Sequence, residues 1–225
     1  MFFGLLFMAC GEVSWEPYSS SGTGGLSSGL QPSSSSSVSS SNSCAPLGNL
    51  HSYLNLREAP GSSYVHGSTQ ITMDAFYISA HLITQGQYKT VMSENPSKGQ
   101  KDNTLPIEGV NWFKAVEFCK KLSAQMCLDS NAIKLPTEAQ WEYAQPVIQR
   151  YWDYWEWTND CFDSVFPLPG PHDPTGPDCD INFYKVRKGL GFTFDERFLT
   201  YPDVDNISGG YISFRVAVKS KYLQF

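Results

Sequence analysis

The side chains with the widest chemical reach in this sequence are its cysteines, Cys10, Cys44, Cys119, Cys127, Cys161 and Cys179. Paired thiolates hold soft metals or close disulfides. No C-x-x-C occurs, which disfavours a zinc ribbon and a thioredoxin-like redox site. Cys161 with Cys179 would close a loop rich in proline and aspartate; Cys119 with Cys127 would tie a helix end to the loop after it. These are the two expected disulfides, in that order, although spacing alone does not fix connectivity. The four histidines, His51, His66, His81 and His172, lack H-x-x-x-H spacing, and neither a G-x-S-x-G elbow nor a P-loop is present. Residues 167–180 collect His172, Asp173, Asp178 and Asp180. Their spacing lacks the glycine and terminal glutamate of a calcium-binding EF-hand, so they read as an acidic surface loop.

Cys10 stands apart from the others. The apolar stretch 1–9, then Cys10 and a glycine, resembles a bacterial lipoprotein signal with Cys10 as the lipidated residue. The basic n-region is missing and the apolar run is short, so the true start is expected upstream of Met1. Residues 11–45 follow as a flexible linker whose stretch 19–43 is mostly serine, too polar to offset its own ordering entropy. A lipid-bearing Cys10 and this linker make a tether to a membrane, and an exported chain permits disulfides. With Cys10 lipidated, five cysteines remain, so one thiol is free or intermolecular. Residues 46–225 suit one domain with a sizeable core. The net charge is −6, with no basic patch, which sets nucleic acid aside as a partner. Nothing after the first ten residues is apolar for long enough to predict a membrane-spanning helix.

Several elements must position any site in this domain. Thr137-x-x-Gln140 is a capping box that starts a short helix, with Trp141 and Ala144 on one face and Pro146 forbidding a long continuation. Asn111 is the expected N-cap of a longer helix. Its stripe of Trp112, Ala115, Val116, Cys119, Leu122 and Met126 is core, and Lys120 and Lys121 face water. A helix is expected from Thr84 to about Met92. Strands are expected over 71–78, around Trp155 and Trp157 with one face buried, and over 212–218. In the last strand Ile212, Phe214, Val216 and Val218 share a face opposite Ser213, Arg215 and Ala217.

Four blocks in order carry a resemblance: L-P-I-E-G-V-N-W-F-K-A (105–115), K-L-P-T-E-A-Q-W-E-Y-A (134–144), W-E-W-T-N-D (155–160) and S-F-R-V-A (213–217). Over about 72–219 the chain resembles the formylglycine-generating enzyme family, the sulfatase-modifying factor domain. Phe76, Ile78, Thr84, Gln87 and Tyr88 fit the family's opening block, where Leu82 replaces its usual glutamate. Residues 186–192 and Arg197 fit a later one. The resemblance implies an irregular single α+β domain related to the C-type lectin fold, shortened between Ala144 and Trp155. Catalytic members oxidise a substrate cysteine with two copper-binding cysteines. Carried onto this chain, these fall on Tyr211 and Val216, so copper is not expected. Glu156 matches a calcium-ligating position, and Gln149 and Trp152 stand where the family usually has Asn and Gly.

Two functions from different classes follow. The first is a non-catalytic module on a lipid tether at the bacterial cell envelope, binding an envelope protein, peptide or glycan, with Tyr211 and Ser213 where the family's cleft would be. The second is a cysteine-oxidising enzyme of the family's type using displaced thiols, for which Cys161 and Cys179 are the candidates.

Overall fold

In chain order the computed structural model has α1 (Leu50–Leu54), β1 (Leu56–Ala59), β2 (Ser62–His66), β3 (Thr69–Met73), β4 (Phe76–Ser79), α2 (Gln85–Met92) and α3 (Trp112–Gln125). There follow β5 (Ile133–Lys134), α4 (Glu138–Tyr143), β6 (Tyr154–Cys161), β7 (Lys185–Gly189), β8 (Phe198–Thr200), β9 (Tyr211–Phe214), β10 (Ala217–Lys219) and a closing 3-10 turn (Ser220–Tyr222). The described residues are 48–66, 68–162, 172–177, 184–189, 198–205 and 211–223. All of them belong to the compact unit Asn42–Phe225. Cys10, Cys44, Cys179, Asp178, Asp180, Arg197 and the serine-rich segment lie outside the described residues.

Side-chain caps set the main helix starts. Thr137 Oγ1 accepts the Gln140 N–H at 3.1 Å and Gln140 Oε1 accepts the Thr137 N–H at 3.0 Å. This closes the expected capping box of α4. Thr84 and Gln87 form the same box at α2, and Asn111 caps α3 through the Lys114 N–H. Each cap satisfies an N–H that the helix leaves without a partner, worth roughly 1 kcal/mol.

Three sheets result. One is antiparallel in the order β1-β4-β10-β5, and β2 and β3 form a separate hairpin. The third runs β8-β7-β6-β9, with β6 and β9 parallel and Glu156 opposite Ser213. Gly189 ends β7 at φ +100°, where a Cβ would meet the Tyr154 carbonyl at 2.8 Å, so only glycine fits there.

The larger core lies between α2, α3 and the strands. Tyr88 stacks on Phe118 at 5.6 Å, and Phe214 meets Phe118 edge-on at 5.2 Å. Leu54, Leu56, Leu122, Trp157 and Val216 pack with them. A smaller core gathers Ile71, Met73, Phe76, Ile78, Ala139 and Ala217. Burying each large apolar side chain contributes about 1.5–3 kcal/mol.

Four expectations need correction. The strand over 71–78 is two strands, β3 and β4, in different sheets. Between them the Asp74 N–H donates to the Asp173 carboxylate instead of a neighbouring strand. The strand over 212–218 is also two, because residues 215 and 216 leave the ladder. The Val216 N–H donates to Ser79 Oγ and its carbonyl accepts the Ser79 N–H. The alternation survives the break: Ile212, Phe214, Val216 and Val218 enter the larger core and Ala217 the smaller. Thirdly, β6 is buried on both faces around its tryptophans, since Trp155, Glu156 and Trp157 are all buried. Finally, Cys119 is a free thiol buried in the larger core, so the Cys119–Cys127 disulfide is not formed. Cys119 points inward from α3, whereas Cys127 sits past the helix end at φ +61° and is bonded to another cysteine.

Candidate functional site

The neighbourhood of β9 is built around one buried cation. Arg215 is fully buried, and its guanidinium is ringed by oxygens. Glu156 takes it in bidentate fashion, Oε2 from Nε at 2.5 Å and Oε1 from Nη2 at 2.7 Å. The carbonyls of Ser79, Ala80 and Gln149 accept at 3.0, 3.1 and 3.1 Å. Trp141 adds an indole N–H to Glu156 Oε2 at 2.9 Å. A charge-assisted pair of this geometry, with its remaining donors satisfied, is the form in which a buried ion pair is tolerated.

This arrangement decides the calcium expectation at Glu156. Calcium needs six to eight oxygen ligands. Here both carboxylate oxygens and the three carbonyls around them already face a guanidinium, and a dication beside that positive charge would be repelled. The residues present do not fit calcium at Glu156 in this arrangement; Arg215 takes the cation's place. Gln149, aligned with a usual family asparagine, contributes only its carbonyl to Arg215, and Trp152 is an exposed side chain.

The two positions that would carry the family's thiols have diverged in environment as well as in chemistry. Tyr211 is 46% exposed, whereas Val216 is in the core at 0%. Ser213, expected beside Tyr211 as a ligand contact, is also fully buried, and its hydroxyl has no hydrogen-bond partner. It cannot meet a ligand from solvent in this conformation, so that expectation is corrected.

What stands at the surface is an aromatic patch. Tyr154 and Tyr211 pack tilted at 5.3 Å, and Tyr151 meets Tyr154 edge-on at 6.0 Å. Trp152 carries Arg150 over its ring at 5.3 Å. Desolvation first, then the charge of Glu108, pushes the Tyr154 phenol up to about 12, so it stays protonated as a hydrogen-bonding hydroxyl. Tyr151 links this patch to His81 through a 3.1 Å hydrogen bond. Both line a cavity of about 250 Å³ with Asn55, Thr84 and Thr104. Leu82, in place of the family's usual glutamate, lines the same cavity and removes a carboxylate from it. Sequence reasoning found Tyr211 but missed its companions. The signal was the clustering of Tyr151, Trp152 and Tyr154 in the shortened segment, legible only once β6 and β9 are paired.

A second polar group sits behind β7. Lys188 is fully buried and reaches Glu138 at 3.3 Å and Glu142 at 2.8 Å, while His66 meets Glu142 at 2.9 Å. Asp160 accepts the Glu138 N–H at 2.6 Å, anchoring α4 to β6. These contacts hold elements together and point to no open space. Cys161 is buried and disulfide-bonded, with Lys185 Nζ 3.0 Å from its sulfur, so it is not a free thiol in a groove. Its expected partner, Cys179, lies outside the described residues. No helix among the described residues is long and apolar enough to cross a membrane.

Residues 48–153 match the family model described as "Sulfatase-modifying factor enzyme 1-like domain". A curated relative, "Chaperone protein LppX" of Paenibacillus barcinonensis, is 31% identical over 113 residues, covering 37% of this chain and 39% of that protein. The chain thus spans about two fifths of that relative's length. Among solved structures, Treponema denticola variable protein 1 aligns with a TM-score of 0.56 at 19% identity, over 73% of this chain and 94% of that one. PvdO from Pseudomonas aeruginosa aligns at 0.57 and 14%, over 73% and 94%, and CarF at 0.52 and 14%, over 74% and 98%. At these identities the likeness is one of fold, and it covers more of the chain than the family model does.

Proposed function

We propose that the chain, whose residues 48–153 match the sulfatase-modifying factor family model and which carries Tyr211 and Val216 where the resemblance places the paired cysteines, is a binding module and not an oxidase. The observation that carries this reading is the environment of those two positions, one an exposed tyrosine and the other a core valine. A copper(I) site needs two thiolates facing one open space. Cys119 is sealed in the core and Cys161 is disulfide-bonded, so neither supplies a displaced pair.

The binding surface in this proposal is the tyrosine patch of Tyr151, Tyr154 and Tyr211. The exposed Tyr211 ring, with the half-buried Tyr151 and Tyr154 beside it, supplies contact area and hydrogen bonds at low entropy cost. The ligand class is an envelope protein or peptide, with a glycan as the other candidate. The relative named as a chaperone favours a polypeptide. Lipidation at Cys10 and the serine-rich linker would hold the domain at a bacterial envelope membrane.

The test is a copper(I) titration of the purified chain, read alongside oxidation of a cysteine-containing peptide. The expected result is no turnover and no tight stoichiometric copper. Turnover with one tightly held copper would overturn the proposal. In cells, a photo-crosslinking residue at position 211 should capture an envelope component that the Tyr154→Ala variant no longer captures. Palmitate labelling should be lost in Cys10→Ala.

A further inference from the structure

Away from the tyrosine patch, two turns distant in sequence bring three metal-ligating side chains together. Asp74 lies between β3 and β4, and His172 and Asp173 come from the segment 172–177. The two pieces are stitched by backbone contacts. His172 bridges to Thr72, the Asp173 N–H donates to the Thr72 carbonyl at 2.8 Å, and the Asp74 N–H donates to Asp173 Oδ1 at 2.8 Å. His172 Nε2 is 3.1 Å from Asp74 Oδ1. One ligand atom from each of the three residues lies within 4.8 Å of the other two.

We propose that Asp74, His172 and Asp173 form a binding site for a divalent transition metal of the zinc type. The imidazole distinguishes this group from a plain acidic patch. One nitrogen and two carboxylates form a borderline donor set that zinc, cobalt(II) and nickel(II) accept, whereas calcium requires more oxygens than the cluster supplies. All three side chains are exposed, so they can close from their present spacing to bonding distance by rotation alone. Water completes the coordination. Asp173 also lines a cleft of about 170 Å³ with Lys134, Thr137, Gln140 and Asn159, so the fourth position opens beside a polar space. The metal ties the 172–177 segment to the β3–β4 turn.

The site is independent of the tyrosine patch, so either reading can fail alone. The test is calorimetric titration of the chelator-treated full chain with zinc chloride, repeated with cobalt(II) to read its visible absorption. The expected result is one equivalent bound, a tetrahedral or five-coordinate cobalt spectrum, and a rise in Tm with zinc. His172→Ala and Asp173→Asn should each weaken binding by about tenfold or more, while His51→Ala binds as the parent does. Asp173→Asn keeps the oxygen that accepts the Asp74 N–H, and His172 is exposed, so these variants test the ligands without dismantling the turn. No saturable binding, or equal binding by the parent and both ligand variants, would overturn the proposal.

Discussion

Replacing Glu156 by glutamine removes one charge and one acceptor while leaving the side-chain volume almost unchanged. Arg215 then keeps its three carbonyl partners but loses the carboxylate that pairs with it among the described residues. The amide NH2 group of the new glutamine must also point at a donor, either the guanidinium or the Trp141 indole. A buried charge stripped of its counter-ion costs about 3–5 kcal/mol. Orienting the amide against a donor keeps the estimate at that level. For a domain of this size, with a urea m-value of about 2 kcal/mol/M, the midpoint should fall by about 1.5–2.5 M.

The assay is urea unfolding followed by tryptophan fluorescence, for which the buried Trp141, Trp155 and Trp157 are suited. Pairing Glu156→Gln with Arg215→Met should recover about 2 kcal/mol relative to the sum of the single variants, because the orphaned charge is gone. A midpoint shift below about 0.5 M for Glu156→Gln would refute the claim that this carboxylate is the guanidinium's counter-ion. Stability unchanged by EDTA would agree with a guanidinium in the cation's place. A calcium-dependent rise in Tm abolished by Glu156→Gln would refute that part of the argument.

Tyr88 is fully buried and its hydroxyl has no hydrogen-bond partner, so Tyr88→Phe should raise stability by about 1 kcal/mol in the same urea assay. The Tyr154 phenol is raised in the folded state to about 12 from an ordinary 10, so its contribution is complete below pH 10 and is lost as pH rises through 12. Alkaline unfolding followed by tyrosinate absorbance should therefore steepen above pH 10, less so in Tyr154→Phe. Burial pushes the Cys119 thiol well above its usual range, so it should resist thiol reagents in the native state and react only on unfolding in urea.

Much of the scaffold was legible because local chemistry dictates it. Thr137 with Gln140, and Asn111, announce helix starts through side chains that satisfy backbone donors nearby. The T-x-x-Q spacing at Thr84 carries the same message at α2. The helical stripe through Ala115, Cys119 and Leu122 needed only a period. What was not legible depended on partners distant in sequence. The alternation over 212–218 is real, but the ladder breaks at Arg215 and Val216 because Ser79, in another strand, takes the hydrogen bonds of Val216. Glu156 could be a calcium ligand or a counter-ion by composition. Arg215, 59 residues away, decides between them. Cys119 and Cys127 have a plausible loop length, yet helix direction sends one thiol into the core.

Positions 211 and 216, onto which the resemblance carries the paired cysteines, differ in what the fold asks of them: one is exposed and the other is in the core. Inward positions 212, 214, 216 and 218 are held by packing against α2 and α3, and Arg215 is held by Glu156. Position 211 bears on none of that packing, since it points outward at the start of β9. A change there costs the fold little, and the tyrosine packs against Tyr154 at 5.3 Å without compensation elsewhere. Position 216 is different. A thiol placed among Phe118, Phe214 and Leu122 would meet the same desolvation that raises the Cys119 thiol, which suppresses the thiolate a metal requires. Valine there fills apolar volume without that conflict. The core therefore favours valine over a thiol at 216, whereas position 211 leaves the start of β9 exposed and free of that constraint.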